Sequence, residues 1–316
     1  MKSSNSRQGQ TTVRDAASPT NLGRITSEEI ASQPECWTQA LAQAVSQPAG
    51  LPTAGERVLV MGCGTSYYVA AAYAWLREQG KQGVTDAIIA SEMPAELRDY
   101  DRVMAISRSG TTTEVSQALA TLPPELPITA IVGELGTPIE TAATDTIDVS
   151  YADERSVVQT RFPTSLLTLL RTHLGESAAT VAELISSAQT VIDAPISEPA
   201  PRQLVVLGSG WAAALAQEAA LKCRESAGMW AEAYASGEYL HGPISVAGPD
   251  TLVWAMTPLT DVQTRAISAT GARVHQGHDD PQVELVALQR HAVAWAAAGG
   301  RDADVPVHLT RSVVTA

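Results

Sequence analysis

One local pattern occurs twice in this chain, and that repetition limits the fold more than any other feature. The apolar run Val58-Leu59-Val60-Met61 enters Gly62-Cys63-Gly64-Thr65-Ser66 and then an Ala-rich, helix-forming stretch to about Gln79. Further on, Leu204-Val205-Val206-Leu207 enters Gly208-Ser209-Gly210 and a second Ala-rich stretch. Gly62 and Gly208 stand 146 residues apart, a spacing that fits the duplication of one α/β domain. Between the two openings, apolar runs at Ala87–Ala90, Val103–Ile106, Ile128–Val132 and Thr146–Val149 alternate with helix-length segments. The second half adds strands near Leu252–Met256 and Arg273–His275 and a helix near Val286–Ala297. Strand–helix alternation of this kind predicts parallel sheets covered on both faces.

The chain divides at a breaker-rich stretch, Pro195, Pro199 and Pro201, which follows a long helix expected over about 175–192. A first domain is therefore expected over 23–193 and a second over 202–316, each a three-layer, Rossmann-like αβα unit. Residues 1–22 are polar, lack the apolar core of a signal peptide, and are expected to form a disordered tail. Thr26-Ser27-Glu28-Glu29 resembles a helix start, a hydroxyl cap followed by acids at the dipole's positive end, with a break at Gln33-Pro34.

The net charge of −13 argues against nucleic acid or an anionic membrane as partner, since both repel an acidic surface. A small anion is still compatible, because backbone N–H groups at a helix start hold phosphate without net positive charge. Three scattered cysteines, Cys36, Cys63 and Cys223, match neither a disulfide framework nor a metal site, so reduced thiols in a cytoplasmic protein are expected.

Three segments carry chemistry. The Gly62-x-Gly64 turn lacks the third glycine of a dinucleotide site, having Tyr67 there, and Thr65-Ser66 supply hydroxyls instead. After the strand Val103–Ile106, Ser107-Arg108-Ser109-Gly110-Thr111-Thr112-Thr113 places five hydroxyls in seven residues at the start of a helix. Capping needs fewer, so anion binding is the stronger reading. In the helix after Gly210, Glu218, Lys222 and Glu225 fall on one stripe at i, i+4 and i+7. Such a stripe is either a solvated ion-pair face or, if buried, an acid–base site with tuned pKa values. His241, ahead of Gly242-Pro243, decides nothing by itself.

Taken together, Gly62-Cys63-Gly64-Thr65-Ser66 and Ile106-Ser107-Arg108-Ser109-Gly110 resemble the phosphate loops of SIS (sugar isomerase) domains. The stretch from Glu218 through Lys222 and Glu225 to Ala231-Glu232-Ala233-Tyr234 and His241-Gly242-Pro243 is similar to the catalytic stretch of double-SIS phosphosugar isomerases. Glu28-Glu29-Ile30 resembles that family's lead-in helix, and Gly300 to Val313 its tail, so the resemblance runs from about residue 27 to the C-terminus. The nearest parallels are the isomerase half of glucosamine-6-phosphate synthase and the tagatose-6-phosphate ketose/aldose isomerase and amino-sugar-6-phosphate deaminase group.

The resemblance implies tandem SIS domains and a sugar-phosphate site built from Gly64, Thr65, Ser66, Ser107, Arg108, Ser109 and Thr112, with Val157 and Arg311 also contacting substrate. It implies Glu225 as the base moving a proton between C1 and C2, His241 as the ring-opening group contributed by the partner subunit of a homodimer, and Glu218 and Lys222 completing the polar site. No metal or organic cofactor is implied. Arg311 stands where the synthases carry a lysine, and Gln159 where they carry a sugar-contacting serine. No glutaminase segment precedes the first domain, so glutamine-dependent synthesis is not expected. An isomerising deaminase of an amino-hexose 6-phosphate is the leading expectation. A fructosamine-6-phosphate-type deglycase and a non-catalytic phosphosugar sensor are the alternatives.

Overall fold

The structure is a computed structural model that describes residues 22–277 and 280–314. Apart from Leu22, the tail expected over 1–22 lies outside the described residues. The first half contains α1 (Arg24–Ala31), α2 (Gln33–Val45), β1 (Val58–Gly62), α3 (Thr65–Gln79), β2 (Thr85–Ile89), β3 (Arg102–Ser107), α4 (Thr113–Ala120), β4 (Ile128–Val132), the single turn α5 (Pro138–Thr141), β5 (Asp145–Asp148), α6 (Arg161–His173) and α7 (Ala178–Asp193). The second contains β6 (Gln203–Gly208), α8 (Ala212–Ala227), β7 (Trp230–Ala235), β8 (Thr251–Ala255), α9 (Asp261–Ala269), β9 (Arg273–Gln276) and α10 (Pro281–Ala298).

The strands form two parallel sheets, ordered β2-β1-β3-β4-β5 and β7-β6-β8-β9. In each, the strand that runs into Gly-x-Gly is central, with the next strand on one side and the third on the other. That shared order is the duplication seen at the level of topology.

Both faces of each sheet are covered, which is why the strands read as unbroken apolar runs. Val58 and Val60 of β1 pack with Met104 and Ile106 of β3 against Ala40, Tyr73, Phe162 and Leu166 from α2, α3 and α6. Leu59 and Met61 point the other way, onto Val115, Leu119 and Ile139 of α4 and α5. In the second sheet, Leu204, Val206 and Trp254 meet α8 and α10, and the same cluster takes in Ala72 of α3 and Leu167 of α6. Val205, Leu207 and Val253 cover the opposite face with Ile267 of α9. The two halves thus share apolar core along α3, α6 and α8. Ile30 and Trp37 of α1 and α2 add a further cluster with α7 and α10.

Two local expectations are corrected. The first helix starts at Arg24, so Thr26 lies inside it and is not its cap. The free N–H groups of that first turn are taken by distant carboxylates. Asp302 accepts from Gly23, while Asp304 accepts from Ile25, from the Thr26 N–H, and from the Thr26 hydroxyl at 2.7 Å. Trp230–Ala235, which carried no strand expectation, is the edge strand β7. None of the helices among the described residues is long and apolar enough to cross a membrane.

Candidate active site

The C-terminal ends of β1 and β3, which are neighbours in the first sheet, hold the two hydroxyl loops. At the first, Gly62 is required by close packing: a Cβ there would sit 2.7 Å from the Ser66 Cβ. Gly64 has φ 52°, and the chain turns on it directly into α3, so Thr65 and Ser66 occupy the first turn of a helix. At the second, Gly110 has φ 63° and lies so close to Thr137 that a Cβ would come within 2.1 Å of its Oγ1. Thr112 then precedes α4. Both helices aim their N-termini, where unpaired N–H groups favour an anion, at the same space.

That space is a cavity of about 180 Å³. Its first wall is the two loops, with Cys63, Gly64, Thr65, Ser66, Arg108, Ser109 and Thr112. Lys222 and Glu225 of α8 form the second, and Val157 and Gln159 the third. The C-terminal segment 309–313 closes the fourth side. Three expected site residues do not line it. Ser107 sits behind the loop, its hydroxyl 3.1 Å from that of Thr112. Glu218 lies beneath Thr65, and His241 is exposed in a short turn beyond β7.

The stripe on α8 is buried at two of its three positions, Glu218 and Lys222, and half-buried at Glu225. The Lys222 ammonium stands 2.7 Å from Glu225 Oε2 and 3.4 Å from Glu218 Oε1. It also donates to the Thr65 hydroxyl at 2.9 Å, and that hydroxyl donates to Glu218 at 3.1 Å. Burial pushes the Glu218 carboxyl up to about 7, with Lys222 opposing and Glu225 adding to the shift. Burial alone would lower the Lys222 pKa, but the two carboxylates outweigh it and hold the ammonium above its usual range. The result is a fixed positive charge beside Glu225, at the cavity's edge.

Arg108 uses its two terminal guanidinium nitrogens within the protein, while its Nε is buried without a partner among the described residues, and the Arg311 guanidinium is likewise engaged. Arg108 is buried, and its guanidinium donates to the Ser156 carbonyl at 2.8 Å, to that of Glu154 at 3.4 Å, and to that of Arg311 at 2.6 Å. Burial lowers its pKa. The Arg311 guanidinium contacts both oxygens of Asp153 at 2.7 Å, Glu134 at 2.7 Å and the Glu154 carbonyl at 3.1 Å. It therefore ties the tail to the body of the first half. The tail also reaches the phosphate-type loop itself. Ser312 Oγ accepts from Ser109 Oγ and lies beside Thr111 Oγ1, each at 3.0 Å, and the Thr113 N–H donates to Val313 O.

Sequence reasoning missed the carboxylates that shape the third wall. Glu29 of α1 accepts from the N–H of Arg155 and from Ser156, while buried Glu154 accepts from Thr160 and from the Phe162 N–H. Glu154 stands in the charged run Asp153-Glu154-Arg155, and nothing in that run marks it as the buried member. Glu29, which holds the same loop, lies 125 positions earlier and could not be matched to it.

The second Gly-x-Gly turn builds nothing comparable. Gly210 lies against the Trp75 ring, 2.8 Å from where a Cβ would stand, and the N–H groups of Ala212, Ala213 and Ala214 already donate to Ser209, Gly210 and Trp211. A turn with its donors used and an indole over it offers no seat for phosphate.

Residues 53–173 match the SIS domain family. The chain is 28% identical to the glutamine–fructose-6-phosphate aminotransferase (isomerizing) of Methanothermobacter thermautotrophicus over 69% of its own length and 41% of the relative's. It is 25% identical to the same-named protein of Caulobacter vibrioides over 93% of its own length and 59% of the relative's. The chain thus spans about half the length of these curated relatives. Among solved structures it is similar to glucosamine-6-phosphate deaminase from Thermotoga maritima, with 25% identity and a TM-score of 0.76 over 92% of this chain and all of that one. It also shares its fold with tagatose-6-phosphate ketose/aldose isomerase from Escherichia coli, at 18% identity and a TM-score of 0.76 over 95% of this chain and 98% of that one.

Proposed function

On the premise that the chain belongs to the double-SIS phosphosugar isomerase family, we propose that its cavity binds an amino-hexose 6-phosphate and that Glu225 carries out an isomerising deamination. The observation that carries this reading is the meeting, in one cavity, of two hydroxyl-bearing helix starts with a half-buried carboxylate held beside a buried ammonium. The first pair suits a phosphate dianion, the second a proton abstraction next to a carbonyl or imine.

In this mechanism the hydroxyls of Ser66, Ser109 and Thr112, with first-turn N–H groups of α3 and α4 other than those of Ser66 and Thr113, which donate to Cys63 and Val313, hold the phosphate and leave C1 and C2 of the open-chain sugar near α8. Glu225 takes the C2 proton, and the electrons move to C1–O, giving an enolamine. Lys222, with its proton held by two carboxylates, offsets the negative charge that develops. Glu225 then returns the proton to C1. The C2 imine that results adds water and releases ammonia, leaving the ketose phosphate. His241 of a second copy would assist ring opening, because within one chain it stands outside the cavity. Arg108 and Arg311 hold the walls; their guanidinium groups are already engaged by carbonyls and carboxylates.

The test is to offer glucosamine-6-phosphate, galactosamine-6-phosphate and fructosamine-6-phosphate adducts while following ammonia and phosphorus NMR together. Ammonia with a new ketose phosphate is the expected result. A new sugar phosphate with a free amino acid and no ammonia would make the protein a deglycase. Ligand-induced shifts without turnover would make it a sensor.

A further inference from the structure

The first turn of α3 carries two adjacent hydroxyls, on Thr65 and Ser66, and both residues line the cavity. Thr65 is 4% exposed, and its hydroxyl is spent on α8. Its Oγ1 accepts a hydrogen bond from the Lys222 ammonium at 2.9 Å and donates to Glu218 Oε1 at 3.1 Å. A hydroxyl has one proton, and a phosphate dianion offers only acceptors. With that proton directed at Glu218, Thr65 Oγ1 has nothing left to donate to a phosphate oxygen. Its side chain therefore serves something other than the anion.

What it holds is Lys222. An ammonium has three N–H donors, and three oxygens surround this one: Thr65 Oγ1, Glu225 Oε2 at 2.7 Å and Glu218 Oε1 at 3.4 Å. Both carboxylates belong to α8, one turn to either side of Lys222. Thr65 alone of the three comes from a different element, the first turn of α3, which packs against α8. A flexible lysine stem tied only to its own helix can slide between the two carboxylates; a third point from outside fixes where the charge stands. We infer that Thr65 is a positioning residue whose hydroxyl holds the Lys222 ammonium beside Glu225, joining the phosphate loop to the acid–base stripe. The inference rests on the deamination reading above and deepens it by giving the two hydroxyls separate tasks. Ser66 serves the anion, and Thr65 serves the neighbour of the base.

The test compares wild type with Thr65→Val, Thr65→Ala and Thr65→Ser. Turnover of glucosamine-6-phosphate and galactosamine-6-phosphate gives kcat and KM, and titration with inorganic phosphate gives its Kd. Valine keeps the shape of threonine without the hydroxyl, alanine removes the hydroxyl without that bulk, and serine keeps it. Thr65→Val and Thr65→Ala are expected to lower kcat by about 10- to 100-fold, because Glu225 loses its fixed neighbour. KM and the Kd for inorganic phosphate should change by less than about threefold in the same variants. Thr65→Ser should stay within about threefold of wild type in all three quantities. Phosphate affinity that falls as far as turnover would make Thr65 part of the anion seat and overturn the inference. So would a kcat that survives loss of the hydroxyl, or a serine variant as slow as the valine one. A wild-type protein that binds inorganic phosphate but turns over neither sugar phosphate would overturn the deamination reading, and this role with it.

Discussion

At the residue scale, the informative group is Glu218, a carboxyl with no exposed surface under the hydroxyl of Thr65. Burial raises its pKa from 4.5 to about 7. For an acid whose folded pKa lies above its unfolded one, the folded state holds the extra proton. Stability is then greatest below about pH 4.5 and is lost as pH rises through about 7. The size of that loss is on the order of 3 kcal/mol for a shift of this extent. Glu218→Gln removes the titrating proton but keeps the shape, so the stability contributed by this site should become flat across the same interval. Denaturant midpoints at pH 5 and pH 8 measure it; a variant that falls as steeply as wild type would show that another group carries the slope. A buried carboxyl two turns from Glu225 was legible as a stripe of three ionisable residues among alanines. Its depth was not, because spacing along one helix cannot tell which face meets another domain.

At the element scale, the loop between β3 and α4 depends on Gly110. An alanine there would need a left-handed backbone, costing about 1–2 kcal/mol, and would also collide with Thr137. Gly110→Ala should therefore lower stability by about 2 kcal/mol or more and weaken phosphate binding, since Ser109 and Thr112 flank the displaced bend. A thermal melt together with phosphate titration checks this; unchanged values for both would mean the loop can relax away from Thr137. Most strands were readable from apolar runs bounded by glycine, since parallel strands covered on both faces leave no polar alternation to confuse them. β7 escaped because Trp230-Ala-Glu-Ala-Tyr-Ala is a half-exposed edge with little β-branched content. The start of α1 escaped for a different reason. Its caps are Asp302 and Asp304, at the far end of the chain, and no local window contains them.

At the scale of the whole molecule, the two halves have diverged in use while keeping one topology. In the proposed reading the first supplies the anion seat and the second the acid–base stripe, brought together where α3 and α8 pack. The repeat announced the architecture in the sequence, and the order of the two sheets bears it out. The sequence did not show that the second Gly-x-Gly turn is closed by Trp75, because that contact joins the two domains. His241 stays outside the cavity of its own chain, on an exposed turn beyond the edge strand that begins with the exposed Trp230. If its imidazole acts in the site of a second copy, mixing inactive Glu225→Gln and His241→Ala protomers should restore activity. Each mixed dimer would then carry one site with both native groups. Activity that stays absent after subunit exchange, with dimers present, would place His241 outside the reaction.

The most direct measurement follows the proton that Glu225 is said to carry. The protein is incubated in D₂O with the sugar phosphate that it turns over, and proton NMR follows C1 and C2. Deuterium should enter the product at C1, at a rate comparable to turnover, with the wild-type protein and not with Glu225→Gln. Conversion without deuterium at any stage of the reaction would mean that the hydrogen moves directly between carbons or that another bond is broken, and a Glu225→Gln protein that exchanges normally would remove Glu225 from the chemistry.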